Sequence, residues 1–481
     1  MGKDAERGKY ASPEGSRTWE YLITFSCGIG LSCIGNLQGW SSPTITELKS
    51  PNSRIQITNP ASQLSWLAAA LSTGHMAAPI FSLLLIDRIG RKNSFLLSAA
   101  PLVLSWALIV GAEHINVLIA ARVLAGFSMG LMMCVYPVYF GEIFSTELRG
   151  FLMCITIAAY NFGVLAMFAV APYLGIRTTG IVCMTIAVTF LITFWFMPES
   201  PYFLMMVGKT DQAESALEKL RGKTDVSDEL ELVKATLREK GKSLLGSNGA
   251  EKNEMEPGML NTLKRLFTIR GNLKALIITM LIALLSHFCG FGSLMAYCHV
   301  IFTDMNAGID VQITTIFFSL LQLIASVVGT IFVEKAGRRT FILGAGVLAG
   351  FLLTIVAGYF FLMEHTTVDV SAFALFAVFV IYNFIFVAHI GILMVPGIIV
   401  SEIFSSDIKV LASCIGGIFG SAVGVVSTKY YFLMAKSWGF GHSVPFFIYA
   451  IVTWLSTACI GYLLPETKGK TLYEIQKILN A

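Results

Sequence analysis

The sequence predicts an all-α membrane protein whose twelve spanning helices form two pseudo-symmetric six-helix bundles, and three observations carry that reading. Of the 481 residues, 55% are hydrophobic and only 13% charged, with a mean hydropathy of +0.71, whereas a soluble domain carries about 25% charged residues. Apolar runs long enough to cross a bilayer, about 20 residues as a helix, recur along the whole chain. Three charged motifs appear once in each half, in the same order.

The apolar runs lie near 19–40, 62–86, 94–112, 115–139, 151–171, 178–197, 272–302, 312–333, 340–362, 372–400, 410–434 and 445–463. Several contain Gly or Pro, which suits tilted or broken helices packed against one another. The first run lacks a small-residue cleavage site and continues into Gln38-Gly39-Trp40, so it reads as a spanning helix rather than a signal peptide. A cytoplasmic N-terminus puts 28 of the 34 Lys and Arg on the cytoplasmic side. The six exceptions are Lys49, Arg54, Arg122, Arg177, Lys429 and Lys436. The positive-inside rule therefore places both termini in the cytoplasm.

The chain divides accordingly into a tail (1–18), a first six-helix bundle (19–197), a linker (198–271), a second bundle (272–463) and a closing tail (464–481). Within the linker, Asp211 with Glu214 and Asp228 with Glu231 read as helix N-terminal capping patterns. Leu217 and Leu220, then Leu230, Val233 and Leu237, form narrow apolar stripes of short cytoplasmic helices. Lys240 to Gly258 is rich in Gly, Ser, Lys and Glu and reads as a flexible connection.

Composition also excludes classes. All nine cysteines fall inside apolar runs, with no spacing for a metal cage or a disulfide framework. A net charge of +4 over this length makes no case for nucleic acid. No nucleophile–base pair, metal cluster or Walker phosphate loop emerges, so neither an enzyme, a cofactor nor direct use of ATP is expected. The expected partners are a small-molecule substrate and the lipid bilayer.

The repeated motifs carry the mechanism. Asp87-Arg88-Ile89-Gly90-Arg91-Lys92 is matched by Glu334-Lys335-Ala336-Gly337-Arg338-Arg339. Glu142-Ile143-Phe144-Ser145, closed by Arg149, is matched by Glu402-Ile403-Phe404-Ser405, closed by Lys409. Pro198-Glu199-Ser200 is matched by Pro465-Glu466-Thr467. All fall on the same predicted side, at helix ends, where a planar guanidinium binds a carboxylate of another helix bidentately. These pairs are expected to close a cytoplasmic gate and to break when it opens, a two-state element biased by substrate.

With these motifs the sequence resembles the sugar porters of the major facilitator superfamily over essentially all of 19–472. The resemblance also rests on Arg122-x-x-x-Gly126-x-x-x-Gly130, Tyr139-x-x-Glu142 with Arg149-Gly150, Pro198-Glu199-Ser200-Pro201 and Pro465-Glu466-Thr467-Lys468-Gly469. Trp40-Ser41-Ser42-Pro43 is similar to the insect trehalose-transporter branch. The resemblance implies the major facilitator fold, a sugar or polyol carried by alternating access, and a plasma-membrane location.

At the positions where the family holds its sugar, the chain departs from the pattern. Ile157 stands where the family usually has Gln. Ser286, His287, Gly290 and Gly292 stand in the places of its Gln-Gln-x-x-Gly-x-Asn pattern. Pro396 is kept but Gly397 replaces Trp, Gly420-Ser421 replaces Asn-Trp, and Tyr202 replaces Arg. Gln322 keeps an amide in span 8. Nearby polar residues offer replacements, so the candidate substrate ligands are His287, Gln322, Asn161, Ser286, Tyr297 and Asn383, with Pro396 shaping span 10; Tyr160, His299, Tyr382 and His389 lie close in sequence. Intramembrane polar residues face the bundle interior or a cavity.

Span 1 has no Asp or Glu between Leu22 and Pro43, which favours facilitated diffusion, while His287 and His389 leave proton coupling open. Two alternatives stand beside the sugar carrier: a nutrient sensor on the same fold, and a carrier for another small organic solute.

Overall fold

The computed structural model describes residues 16–51, 53–145, 147–245, 259–335, 337–404, 406–470 and 472–480. Eleven helical stretches among them are long and apolar enough to span a bilayer. One of these, Arg149–Trp195, has 47 residues. At 1.5 Å per residue it would reach roughly 70 Å, more than twice the thickness of the hydrocarbon core. It turns at Gly175, whose φ of 73° and ψ of 165° leave the helix. Two spans result, so the expected twelve are present.

The first half comprises span 1 (Thr18–Lys49), span 2 (Pro60–Ile89), span 3 (Arg91–Val110), span 4 (Ile115–Ile143) and spans 5 and 6 within Arg149–Trp195. The second comprises span 7 (Arg270–Met305), span 8 (Val311–Lys335), span 9 (Arg338–His365), span 10 (Ser371–Ile403), span 11 (Ile408–Ser437) and span 12 (Ser443–Leu463). Three short helices of the linker follow span 6: Pro201–Met206, Thr210–Arg221 and Ser227–Leu245. Met259–Thr268 precedes span 7, and Leu472–Asn480 closes the chain.

Glycine sets the closeness of packing inside the first half. A Cβ at Gly35 would overlap the carbonyl oxygen of Tyr160, and one at Gly163 that of Ser32; Gly74 and Gly126 stand in the same relation to Val123 and Leu71. Spans 1 and 5, and spans 2 and 4, thus touch backbone to backbone, the small-residue contact that lipid-embedded helices use in place of a hydrophobic driving force. Between the halves, span 2 packs on span 11, span 5 on span 8, and the outer part of span 1 on that of span 7. Span 2 corresponds to span 8 and span 5 to span 11 in the repeat, so the first two contacts are the same contact seen twice.

The linker helices dock on this scaffold. Leu217, Leu230 and Ala213 join a small core with Leu204, and Val233 is buried, as their stripes predict. The capping expectation fails. Helix Thr210–Arg221 has Lys209 at its cap with no side-chain bond, and Asp211 lies inside the first turn, where a carboxylate meets the positive end of the helix dipole instead. Asp228 likewise sits in the first turn of its helix. Arg221 fixes the linker to the bundle: it pairs with Glu20 at 2.7 Å and Glu229 at 2.6 Å, and donates to the Ile143 carbonyl at 3.0 Å. The predicted flexible connection lies mostly at 246–258, outside the described residues.

Candidate functional site

At the end of the bundle where the motifs gather, each half builds the same clamp. In the first, Arg91 binds Glu142 at 2.9 Å and Asp87 at 3.2 Å. Glu199 accepts the backbone N–H groups of Arg91 at 3.0 Å and Lys92 at 2.9 Å. Ser200 donates to Glu142, and Tyr139 donates to the Pro198 carbonyl at 2.7 Å. In the second half, Arg338 binds Glu402 at 3.2 Å, and Glu466 accepts the N–H of Arg338 at 2.9 Å. Arg339 donates to the Gly461 carbonyl at 2.6 Å.

The motif glycines follow from this geometry: a Cβ at Gly90 would collide with the Glu199 carboxylate, and one at Gly337 would stand 2.5 Å from Glu466 Oε2. Arg149 donates to the Phe144 carbonyl at 3.2 Å and Arg88 is exposed. Lys409 is half-buried, and the side chain of Glu334 lies outside the described residues.

All these ion pairs join helices of one half. The sequence leads one to expect a gate, yet each of these bonds holds spans of a single bundle together. The two equivalent acids differ electrostatically. Burial pushes the Glu199 carboxyl above the usual range, against the opposing pull of the Lys92, Ser200 and Arg91 N–H groups. Burial also pushes Glu466 upward, but there the N–H groups of Lys468, Arg338, Thr340 and Thr467 outweigh it and the carboxyl ends below the usual range.

Halfway along the spans the polar residues divide into two sets. Gln322 is buried, and among the described residues neither its Nε2 nor its Oε1 has a partner. Asn161 donates to the Ile157 carbonyl of its own helix at 3.1 Å, and its Oδ1 has no partner among the described residues. His287 is exposed in area although Gly420 and Gly424 of span 11 and Ser72 of span 2 lie against it. A mid-span residue so placed faces a water-accessible space between the halves. His389 is buried, and its Nδ1 has no partner among the described residues.

The second set is engaged within the protein. Ser286 shares its hydroxyl proton between the carbonyls of Ile282 at 2.9 Å and Ile392 at 3.0 Å. Pro396 explains the second bond: it has no N–H to give the carbonyl four residues earlier, and span 10 widens into a π-helical turn at Ala388–Leu393 just there. Tyr297 donates to the Thr428 carbonyl at 3.2 Å and stacks on Tyr431 and Phe432. Asn383 donates to the Phe379 carbonyl of its own helix at 2.8 Å, and Tyr382 to that of Thr314 at 2.9 Å.

At the far end the halves are sealed to each other. Ser42 of span 1 bonds His299 Nδ1 of span 7 at 2.9 Å, and His299 Nε2 bonds Gln312 Oε1 of span 8 at 3.2 Å. Gln312 Nε2 in turn donates to the Phe168 carbonyl of span 5. Lys429 lies 3.8 Å from the Trp66 ring centroid, a second cross-half contact. Sequence reasoning missed Gln312 and Ser42. Gln312 opens span 8 and Ser42 follows the break in span 1, and only packing brings them to His299.

Buried Arg122 donates to the Leu37 carbonyl at 2.5 Å and to Ser41 Oγ at 2.7 Å, where span 1 breaks between Thr18–Gly39 and Ser41–Lys49. It lies over the Trp40 ring, 5.4 Å from the centroid. A cation there is held by a carbonyl, a hydroxyl and a ring face, groups that do not titrate near neutral pH.

Twelve spans in two related bundles, clamped within each half at one end and sealed across the halves at the other, define a membrane carrier of the major facilitator fold. The chain belongs to the family described as "Sugar (and other) transporter", whose model matches residues 32–479.

Among curated relatives it is 27% identical over 462 residues to a facilitated trehalose transporter, Tret1, of Aedes aegypti, covering 95% of this chain and 55% of that protein. It is 27% identical over 460 residues to that of Culex quinquefasciatus, covering 95% and 85%. The chain thus spans little more than half the length of the first of these relatives. Its fold matches the xylose transporter XylE from E. coli in a partially occluded inward-open conformation, with a TM-score of 0.75 at 19% identity, covering 95% of this chain and 100% of that one. It also matches XylE bound to 6-bromo-6-deoxy-D-glucose, with a TM-score of 0.72 at 21% identity, covering 96% and 99%.

Proposed function

We propose that this chain carries a neutral sugar or related polyol, with trehalose and hexoses the first candidates, across the plasma membrane by alternating access as facilitated diffusion. In this reading both termini are cytoplasmic. The bundles 19–197 and 272–463 move as two bodies joined by the linker 198–271. The clamps of Arg91 and Arg338 keep each body rigid while the contact between bodies changes.

The observation that carries the reading is Gln322. A buried primary amide with neither atom paired costs about 1–3 kcal/mol. A substrate hydroxyl that donates to Oε1 and accepts from Nε2 removes that cost, and a hydroxyl-rich neutral solute suits an amide better than an ion does. The relatives named as trehalose transporters point to the same substrate class. Uniport is favoured because the partners of Arg122 carry no exchangeable acid.

The test is uptake of labelled trehalose and D-glucose by proteoliposomes of the full chain, with and without a pH gradient. Wild type should transport without the gradient. Gln322→Leu should lower kcat/KM about tenfold while leaving Tm equal or higher, because the unpaired amide is gone. Undiminished uptake by that variant would remove Gln322 from the site, and uptake only down a proton gradient would refute uniport.

A further inference from the structure

Midway along span 2, His75 faces the other half of the molecule. Its Nδ1 lies 2.8 Å from Ser421 Oγ of span 11, a hydrogen bond that crosses the interface at the level of His287. Ser421 donates its own proton to the Gly417 carbonyl at 2.8 Å. A hydroxyl has one proton to give; with that proton on Gly417, Ser421 accepts from His75 Nδ1–H. A neutral imidazole with its proton on Nδ1 has a bare Nε2, and Nε2 of His75 has no partner among the described residues.

Small residues surround the ring: on span 4, a Cβ at Gly130 would stand 3.2 Å from His75 Cδ2. Span 11 presents Gly420, Ser421 and Gly424 to the interface, and a Cβ at Gly420 would stand 2.8 Å from the His287 ring. Ser72 and His287 both flank Gly424. His75 bonds Ser421 and His287 lies against its neighbour Gly420, so imidazoles from opposite halves meet the same turn of span 11. His287 is exposed and His75 half-buried, so neither ring is fully covered. In the sequence, Gly420-Ser421 stands where the resemblance expects an amide and an indole; the structure puts two imidazoles beside that gap.

We propose that His75 is a substrate-recognition residue of this carrier: Nε2 accepts a hydroxyl of the solute, while Nδ1–H holds the ring through Ser421 of the opposite half. The inference rests on the polyhydroxylated-solute reading above and adds a ligand from span 2. Because the Ser421 bond crosses the interface, the ring is correctly aimed only while the halves meet at this level, which couples recognition to the conformation.

Three substitutions separate the two ring nitrogens. His75→Asn keeps a donor near Nδ1 and removes the acceptor at Nε2. His75→Gln keeps a polar atom near Nε2 and removes the donor near Nδ1. Ser421→Ala removes the cross-half bond alone. Trehalose and D-glucose uptake by proteoliposomes of the full chain is measured with Tm as a folding check, and trehalose binding is measured by calorimetry.

His75→Asn should raise KM about tenfold with kcat little changed, and His75→Gln should restore KM to within about twofold. Ser421→Ala should lower kcat more than it raises KM. Wild-type KM in His75→Asn, or an equal rise in KM for Ser421→Ala and His75→Asn, would overturn the assignment while the carrier reading stands. A wild type that binds trehalose without moving it refutes the carrier reading, and the ratio of Kd values then decides His75. A wild type that neither binds nor moves either sugar overturns both.

Discussion

In the first half, the Arg91 and Glu142 side chains are 6% and 15% exposed, and Ser200, Tyr139 and the Phe203 ring complete the clamp. In the second, Arg338 and Glu402 are 19% and 25% exposed, and the pair is longer, 3.2 Å against 2.9 Å. Both halves descend from one pattern, with arginine, glycine and two acids in the same places, yet one clamp is drier. The difference follows from what covers each. The linker helix Pro201–Met206 lies directly after Glu199 and lays Phe203 against Arg91, 5.3 Å from its ring centroid. After Glu466 the chain runs instead through Lys468 and Lys470 into Leu472–Asn480. Duplication therefore preserved the bonding pattern while local cover set its strength.

The comparison breaks most readily at the arginines. Truncating one member of a largely buried ion pair costs about 3–5 kcal/mol, so Arg91→Ala should show the larger loss of stability and very little uptake. Arg338→Ala should cost about 1–2 kcal/mol because water partly replaces its partner. Thermal unfolding in one detergent with parallel uptake checks the order. Equal losses would mean that cover by Phe203 does not matter.

A smaller separation is expected at the glycines. Gly90 has a φ of 95°, and Gly337 one of −68°. A Cβ crowds a carboxylate at both, but only Gly90 adds a positive-φ extended backbone, worth about 1–3 kcal/mol for an L-residue. Gly90→Ala should therefore lower Tm more than Gly337→Ala. The reverse order would show that the Glu466 contact, not backbone strain, dominates.

The smallest effect is the response to acid, and the two acids should differ in sign. A raised folded pKa, as at Glu199, contributes stability that is present below the unfolded value near 4.3 and lost as pH rises through the folded value. A depressed folded pKa, as at Glu466, contributes stability present above the unfolded value and lost as pH falls through the folded one. Between pH 7 and pH 4, the wild-type Tm minus that of Glu466→Gln should fall, and the wild-type Tm minus that of Glu199→Gln should rise. Parallel changes would contradict the opposite shifts.

Much of the fold and part of the site are legible in the amino-acid sequence. The clamps stand out because charged residues are scarce here, so three pairs in register are conspicuous. Gln322 stands out as an amide amid apolar neighbours. Ser286 and Tyr297 are equally visible, but no local signal tells that Ser286 serves the carbonyl that Pro396 leaves unserved, 106 residues apart in sequence, or that Tyr297 is occupied by Thr428. His75 escapes notice because its partner, Ser421, lies 346 residues away.

The linker gives the opposite lesson. Asp211 with Glu214 looks like a cap, yet the helix begins one residue earlier, at Thr210. Helix ends depend on where the chain leaves its neighbour as well as on the capping residue.

The sequence by itself determined the number of spans, their pairing into two related halves and the location of the clamps. Each of these depends on properties local in the chain: the length of an apolar run set by bilayer thickness, and charge excluded from it. Only the tertiary structure decided which mid-span polar groups are engaged and which remain open. Where His75 meets Ser421, and where His299 links Ser42 to Gln312, the partners come from different halves. Their register is set by how two bundles pack, and no sequence interval encodes that distance.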